Sequence, residues 1–203
     1  MYLQMRPQAQ GQSRHKAPVV PIDPATLFGG EILHVTSTDS PRLEDRGGFY
    51  AARPAVRMRR RWAHIGLWTP GPGRMFSLSE TSQQMAFWME PGGLYGFGSD
   101  GKPVQIGRGW AQGKPTVVTI EKINDRRIQA RINGRGAITA EPFQPANHRE
   151  NIILFSARGV ARQSPFEGRF HGGVWIDRVL TNKERLGLEA WYQQLAGDHA
   201  GGS

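Results

Sequence analysis

Acidic side chains are the groups in this sequence that could supply a catalytic acid and a nucleophile. Retaining glycoside hydrolysis needs two carboxyl groups about 5 Å apart, and alternate residues of one β-strand provide that separation. The nearest acidic residues are Glu44 beside Asp45, Glu121 with Asp125, and Asp177, which stands alone in its segment. Because none of these has the required spacing, we predict no catalytic residues and no enzymatic activity.

Metal ligands are equally sparse. Calcium takes roughly six to eight oxygen ligands, and the best fragment, Asn124–Asp125, more simply caps a turn. The chain has no cysteine, and its histidines lack the spacing of a zinc site. These histidines are His15, His34, His64, His148, His171 and His199. We therefore predict no metal and no cofactor, and the lack of cysteine favours an intracellular site of assembly.

Arginine dominates the charged residues, and the net charge is +9. A guanidinium group offers a planar fork to carboxylate or phosphate, so we expect an acidic partner. Nucleic acid, an acidic glycan and an acidic protein surface are the alternatives. In the segment RMRRRWAHIG (57–66), three arginines alternate with apolar residues and are predicted to line the outer face of a strand. The predicted partner-binding residues are Arg6, Arg14, Lys16, Arg57, Arg59 and Arg61.

Tryptophans could form platforms for a glycan, and the chain has six of them. Trp88 and Trp175 lie in strands with apolar neighbours, which indicates a place in the core. Trp68 and Trp110 lie beside loops rich in proline and glycine. They are therefore the predicted glycan-binding residues.

An alternation of apolar and polar residues from about residue 49 onward predicts β-strands. The clearest signal is TVVTIEKINDRRIQARINGRGAI (116–138), in which two alternating runs flank a polar loop and Asn133-Gly134 predicts a type I′ hairpin turn. One helix is predicted, over about 182–196. Thr181 and Glu184 form its capping box, the residues 188, 191, 192 and 195 form an apolar stripe, and Gly197 ends it.

These elements predict an all-β fold: a two-sheet antiparallel β-sandwich, or jelly roll, with one C-terminal helix. Residues 1–24 are predicted to form an extended basic arm, 25–197 the sandwich with its helix, and 198–203 a flexible tail. The N-terminal residues lack the apolar region of a secretory signal, and no segment reaches the length of a membrane span. We expect no contact with a membrane.

The chain resembles the concanavalin A-like lectin and glucanase domains, in the laminin-G-like group, over roughly residues 49–197. The similarity rests on the two-strand unit at 116–138 and on FEGRFHGGVWIDRVLTNKERLGLEAWYQQLAG (166–197), a glycine-led strand followed by a capped helix. With its arm and the IDPATLF lead-in (22–28), the chain is also similar to structural proteins of tailed-phage virions.

The resemblance implies a non-enzymatic virion component, either a capsid decoration or a tail-associated protein, that docks through its arm and its Arg-rich face. The expected partners are other virion proteins such as a major capsid protein, and a homo-oligomer is possible. The alternative is a lectin-like module that binds a surface glycan during host adsorption. We do not expect nucleic acid as a partner, because the sequence has no basic and aromatic motif of the known modules.

Overall fold

The computed structural model of the chain describes residues 19–27, 32–35, 50–51, 61–77, 86–98, 100, 102–124, 127–140, 153–154 and 168–200. Within these ranges the chain forms strands and one α-helix. The strands are β1 (Ile32–Val35), β2 (Tyr50–Ala51), β3 (Trp62–Thr69), β4 (Gly73–Ser77), β5 (Ala86–Glu90), β6 (Gly93–Phe97), β7 (Pro103–Gly107), β8 (Thr116–Asn124), β9 (Arg127–Ile132), β10 (Arg135–Ala140), β11 (Ile153–Leu154) and β12 (Arg169–Ile176). The helix α1 spans Asn182–Ala200.

The strands form two antiparallel sheets. The first sheet has the order β1-β12-β3-β8-β9-β10, and the second has the order β2-β11-β4-β5-β6-β7. The predicted two-sheet antiparallel sandwich with one C-terminal helix is therefore confirmed. No helix in the described part of the chain is long and apolar enough to cross a membrane.

Strand β3 lies at the centre of the first sheet and is buried on both faces. Trp62 and Trp68 belong to the core between the two sheets. Ile65 and Leu67 belong to a second apolar cluster, which includes Leu188 of α1. Such continuous burial removes the period-two pattern that marks a strand with one solvated face.

Arg61 does not lie on this strand, contrary to the sequence prediction. It is exposed and occupies a bend just before β3 begins at Trp62. The predicted row of arginines on a strand face therefore fails at Arg61. Arg57 and Arg59 lie outside the described residues, as do Arg6, Arg14 and Lys16.

The hairpin turn at Asn133-Gly134 has the predicted conformation. Asn133 has φ 51° and Gly134 has φ 69°, the two positive values that a type I′ turn requires. Two hydrogen bonds also join the turn to β8: the Asn133 side chain accepts from Val117 N–H at 2.9 Å, and the Asn133 N–H donates to Val117 O at 2.8 Å.

Helix α1 begins as predicted and ends later than predicted. Glu184 N–H donates to Thr181 Oγ1 at 3.2 Å, and Thr181 N–H donates to the Glu184 carboxylate at 2.8 Å, which completes the capping box. Leu188 and Tyr192 pack on the first sheet. The helix continues through Gly197 to Ala200. A glycine inside a helix lowers the stability of the helix but does not by itself end it.

The segment at 19–27, which we call the strap, lies against α1. Ile22 N–H donates to Gly187 O at 3.0 Å, Leu27 packs on the apolar cluster beneath the helix, and Pro24 is buried. The last residues of the predicted arm therefore contact the body of the protein. Residues 1–18 lie outside the described part of the chain.

Candidate functional site

Trp68, one of the two predicted glycan-binding residues, is 0% exposed. Its indole packs on Phe170 at 4.3 Å between ring centroids, and its Nε1–H donates to His64 Nε2 at 3.3 Å. A ring enclosed between the two sheets cannot contact a glycan. The sequence prediction for Trp68 is therefore wrong, because the strand continues beyond the opening segment and turns this residue inward.

Trp110, the other predicted residue, is half-buried in the loop between β7 and β8 and packs against the core. Its indole nitrogen is buried and makes no hydrogen bond among the described residues. A glycan-binding role for Trp110 stays a prediction.

The ionisation of His64 is strongly altered by its burial in the core. Its ring is fully buried and stacks on Trp175 at 4.3 Å. Burial lowers the pKa of His64 from 6.5 to about 3, and the hydrogen bond to Val174 O partly opposes that shift. The neutral ring satisfies both nitrogens, since Nδ1–H donates to Val174 O at 3.1 Å and Nε2 accepts from Trp68. His64 is thus a structural residue with no access to a substrate.

Two carboxylates meet beneath α1, on the outer face of the first sheet. Glu121 pairs with Arg131 at 2.8 Å, and Glu189 pairs with Arg185 at 3.0 Å. Burial raises the pKa of Glu121, while the Arg131 guanidinium opposes the rise. Because each carboxylate has its own arginine and the helix covers both, this cluster anchors α1 and does not form a catalytic groove.

The described residues contain no group of three or more histidine, cysteine, aspartate or glutamate side chains that could hold a metal ion. Two of the acidic residues considered above as catalytic groups are described. Glu121 lies in β8, and Asp177 follows the last residue of β12. Glu44, Asp45 and Asp125 lie outside the described ranges.

Three aromatic side chains form a surface on the outer face of the second sheet, which we call the aromatic face: Trp88, Tyr95 and Phe97. Strand alternation turns Phe87 and Met89 into the core, so Trp88 between them faces outward. The Trp88 ring lies 5.9 Å from Tyr95 and is nearly parallel to it, and 4.7 Å from Phe97. Trp88 is 9% exposed and supports the half-buried rings of its two neighbours.

Polar groups border the aromatic face at one end. Trp88 Nε1–H donates to the exposed Glu90 carboxylate at 2.8 Å. Gln105 is the register partner of Tyr95, and its amide donates to Gly92 O at 3.0 Å. Arg108 Nε–H donates to Gln105 Oε1 at 2.7 Å. The face thus combines apolar rings with an exposed carboxylate, an amide and a positioned guanidinium group.

The aromatic face has no cover from the helix. Among the described elements, β5 and β6 pack against each other and their sheet neighbours β4 and β7, whereas α1 contacts β3 and β8 on the opposite side of the sandwich. Tyr95 and Phe97 are partly exposed on this face, and α1 does not cover them.

No family model matches this chain. The curated relatives it matches are 4-hydroxy-3-methylbut-2-enyl diphosphate reductases: that of Agrobacterium fabrum is 29% identical over 91 residues, and that of Brucella abortus is 28% identical over 89 residues. These matches cover 44% and 43% of this chain and 26% of each reductase. The matched segment thus spans about a quarter of the length of these relatives.

Solved structures share the fold at low sequence identity. The carbohydrate-binding module CBM40 of the Ruminococcus gnavus IT-sialidase, bound to α2,3 sialyllactose, has a TM-score of 0.54 at 11% identity and covers 79% of this chain and 99% of the module. The Trypanosoma rangeli sialidase in complex with 2,3-difluoro-KDN also has a TM-score of 0.54 at 11% identity, and it covers 74% of this chain and 27% of the sialidase. These likenesses establish the fold.

Sequence reasoning did not select the aromatic face, although a signal for it was present. Phe87 and Met89 flank Trp88 in the sequence, so a strand here places Trp88 on the opposite side from both. Tyr95 and Phe97 share one side of the returning strand. The sequence does not reveal the strand register that pairs Trp88 with Tyr95, and this register brings the three rings together.

Proposed function

We propose that this chain is a non-catalytic carbohydrate-binding module whose binding surface is the aromatic face. The observation that carries the proposal is the cluster of Trp88, Tyr95 and Phe97 on the outer face of the second sheet. Pyranose rings present C–H groups that pack on aromatic rings, and their hydroxyl groups need nearby hydrogen-bonding partners. Glu90 and Gln105 supply a carboxylate and an amide at the border of the rings, as ligand sites with few placed polar groups do.

The likeness to the Ruminococcus gnavus module supports the proposal at the level of the fold. That module is bound to α2,3 sialyllactose in one structure and to α2,6 sialyllactose in another. The match covers nearly the whole length of that module and 79% of this chain. The choice of a binding module over an enzyme rests on the described carboxylates Glu121 and Glu189, each of which is neutralised by an arginine beneath α1.

A glycan array followed by titration calorimetry tests this proposal. We expect the wild-type chain to bind at least one class of glycan, and Tyr95→Ala and Phe97→Ala each to weaken that binding about tenfold or more, because each removes packing area worth about 1–3 kcal/mol. Trp191→Ala is the matched control, since it removes another half-buried aromatic ring from the opposite side of the sandwich.

All variants are first checked for folding by circular dichroism. A silent array, or equal binding by Tyr95→Ala, Phe97→Ala and the wild type, would contradict a carbohydrate-binding role for this face. Release of reducing sugar from an array polysaccharide by the wild type would contradict the non-catalytic part of the proposal.

As a second candidate function we propose that the chain is a virion component, and the net charge of +9 favours this. In that case the chain docks to an acidic virion surface such as a major capsid protein. Because the strap packs against α1, only residues 1–18 are left to form a docking arm. Deletion of residues 2–18 would then abolish co-sedimentation with purified particles, and retained co-sedimentation would remove the role of the arm.

A further inference from the structure

Exposed basic residues lie at one end of the sandwich, which we call the loop end: Arg108, Lys114, Arg135 and Arg169. The loop 108–115 connects β7 of the second sheet to β8 of the first and carries Arg108 and Lys114, both exposed. The loop is tied to the turn after β3, because Gly113 N–H donates to Pro70 O at 3.2 Å. Lys114, which follows Gly113, is therefore held close to the C-terminal end of β3.

Two more cations reach the same end through strand register. Arg169 is the register partner of Thr69, the last residue of β3. Arg135 follows the Asn133-Gly134 turn, which hydrogen-bonds to Val117 near the start of β8. Since neighbouring strands lie about 5 Å apart, these two residues and Lys114 are spread along a line on the order of 20 Å long.

Two carboxylates lie near the loop end, as their contacts with described residues show, and both already accept hydrogen bonds. Glu90 accepts the hydrogen bond from Trp88, and Glu189, near Gly134, accepts bonds from Arg185 and Thr119. The side chains of Lys114 and Arg169 form no ion pair with any residue in the described ranges. Counted over the described residues, the loop end thus has a surplus of positive charge.

The loop end is continuous with the aromatic face through Arg108. Its Nε–H donates to Gln105 Oε1, and Gln105 is the register partner of Tyr95. The terminal guanidinium nitrogens make no hydrogen bond among the described residues, so this oriented fork is available to an anion. A saccharide lying on Tyr95 would place its next sugar units over Arg108 and then over the loop end.

From this continuity we infer that the glycan is acidic: its carboxylate or sulfate groups bind at Arg108, Lys114, Arg135 and Arg169 while its sugar rings pack on the aromatic face. The inference rests on the proposed function and specifies its ligand class. Arginine pairs with a carboxylate or sulfate through two parallel hydrogen bonds, which a neutral sugar cannot accept with the same strength.

Calorimetry with oligogalacturonate and with its carboxyl-reduced, neutral form tests the inference, and a heparin oligosaccharide provides the sulfated probe. We expect at least one acidic probe to bind about tenfold or more tightly than the neutral form, with an affinity that falls as salt rises. Arg108→Gln should weaken binding of the acidic probe about tenfold, a larger loss than it causes for the neutral form.

Arg127→Gln is the matched control, since it removes the same charge from an exposed position at the opposite end of β9. Equal binding of acidic and neutral probes, with loss of both in Tyr95→Ala, would overturn the acidic ligand and retain the carbohydrate-binding module. Acidic-probe binding that is insensitive to Tyr95→Ala but lost in Arg108→Gln would overturn the shared site. Tighter binding of a single-stranded oligonucleotide through Arg108 and Lys114 would overturn the inference in favour of nucleic acid.

Discussion

At the scale of single residues, His64 shows how burial in the core changes the ionisation of a side chain. An imidazole normally titrates near neutral pH, but here both ring nitrogens are used by the neutral form and the ring is enclosed by Trp68, Trp175 and Phe76. Gly66 and Gly173 leave room for it, because a Cβ at either position would lie 2.8 Å or 3.0 Å from His64 Cε1. Protonation would therefore place an unpaired charge in an apolar interior.

This arrangement predicts a pH dependence of stability. The folded-state pKa of about 3 lies below the ordinary value of 6.5, so below pH 6.5 the unfolded chain binds a proton that the folded chain does not. The contribution of His64 is complete above pH 6.5 and is lost as the pH falls toward 3, at about 1.4 kcal/mol per pH unit. We expect urea unfolding of wild type and His64→Gln to show this slope as a difference between the two proteins.

Nitrogen-15 NMR provides a second measurement that does not require the variant to fold. The His64 ring should remain the Nδ1–H tautomer from pH 8 to pH 5. A ring that titrates near pH 6 would contradict the buried position.

At the scale of elements, the strap explains a glycine within a helix. A Cβ at Gly187 would lie 2.4 Å from Ile22 Cγ1 and 3.0 Å from Val20 O, so the close approach of the strap requires a residue without a side chain. Farther along α1, Gly197 has nothing within 4 Å of such a Cβ. The same residue type thus has a packing role at one position and none at the other.

Gly187→Ala should therefore displace the strap, although alanine is the better helix former. We expect amide exchange at Ile22, which donates to Gly187 O, to accelerate about tenfold or more. Gly197→Ala is the matched control and should stabilise the protein by up to about 1 kcal/mol without changing that exchange. If both variants leave the Ile22 amide equally protected, the strap does not depend on the close approach.

At the scale of the whole molecule, the fold has three layers: the second sheet, the first sheet and α1. The first sheet is the middle layer, with one apolar cluster toward the second sheet and another toward the helix. Glu189 joins the first sheet to α1, because it accepts a hydrogen bond from Thr119 of β8 at 2.8 Å and pairs with Arg185 of its own helix. The helix is thus a structural layer of the domain.

Glu189→Ala should destabilise the whole domain by about 3 kcal/mol, since it removes the acceptor of the buried Thr119 hydroxyl and the carboxylate partner of Arg185. The control is Lys102→Ala, which removes an ion pair whose side chains are 80% and 56% exposed and should change stability by less than about 0.5 kcal/mol. Urea unfolding should give coincident transitions by far-UV circular dichroism and tryptophan fluorescence. Separate transitions would show that α1 and the sandwich are independent units.

Local patterns in the sequence were sufficient for the class of fold. Alternating residues at 116–132, the Asn133-Gly134 turn and the Thr181–Glu184 box each depend on neighbours within a few positions, and each occurs in the structure as predicted. Strand β3 was placed too early, because its burial on both faces removes the alternation that a single-sided strand shows. Strand β1 was not predicted.

The sequence by itself determined the two-sheet sandwich, its capped helix and its positive charge, because these follow from short-range periodicity and composition. Only the tertiary structure decided that Trp68 is enclosed while Tyr95 and Phe97 form a surface, and that Arg135 and Arg169 share an end with Arg108. These relations depend on pairing between strands far apart in the chain, and the free energy of that pairing comes from the packing of the complete core.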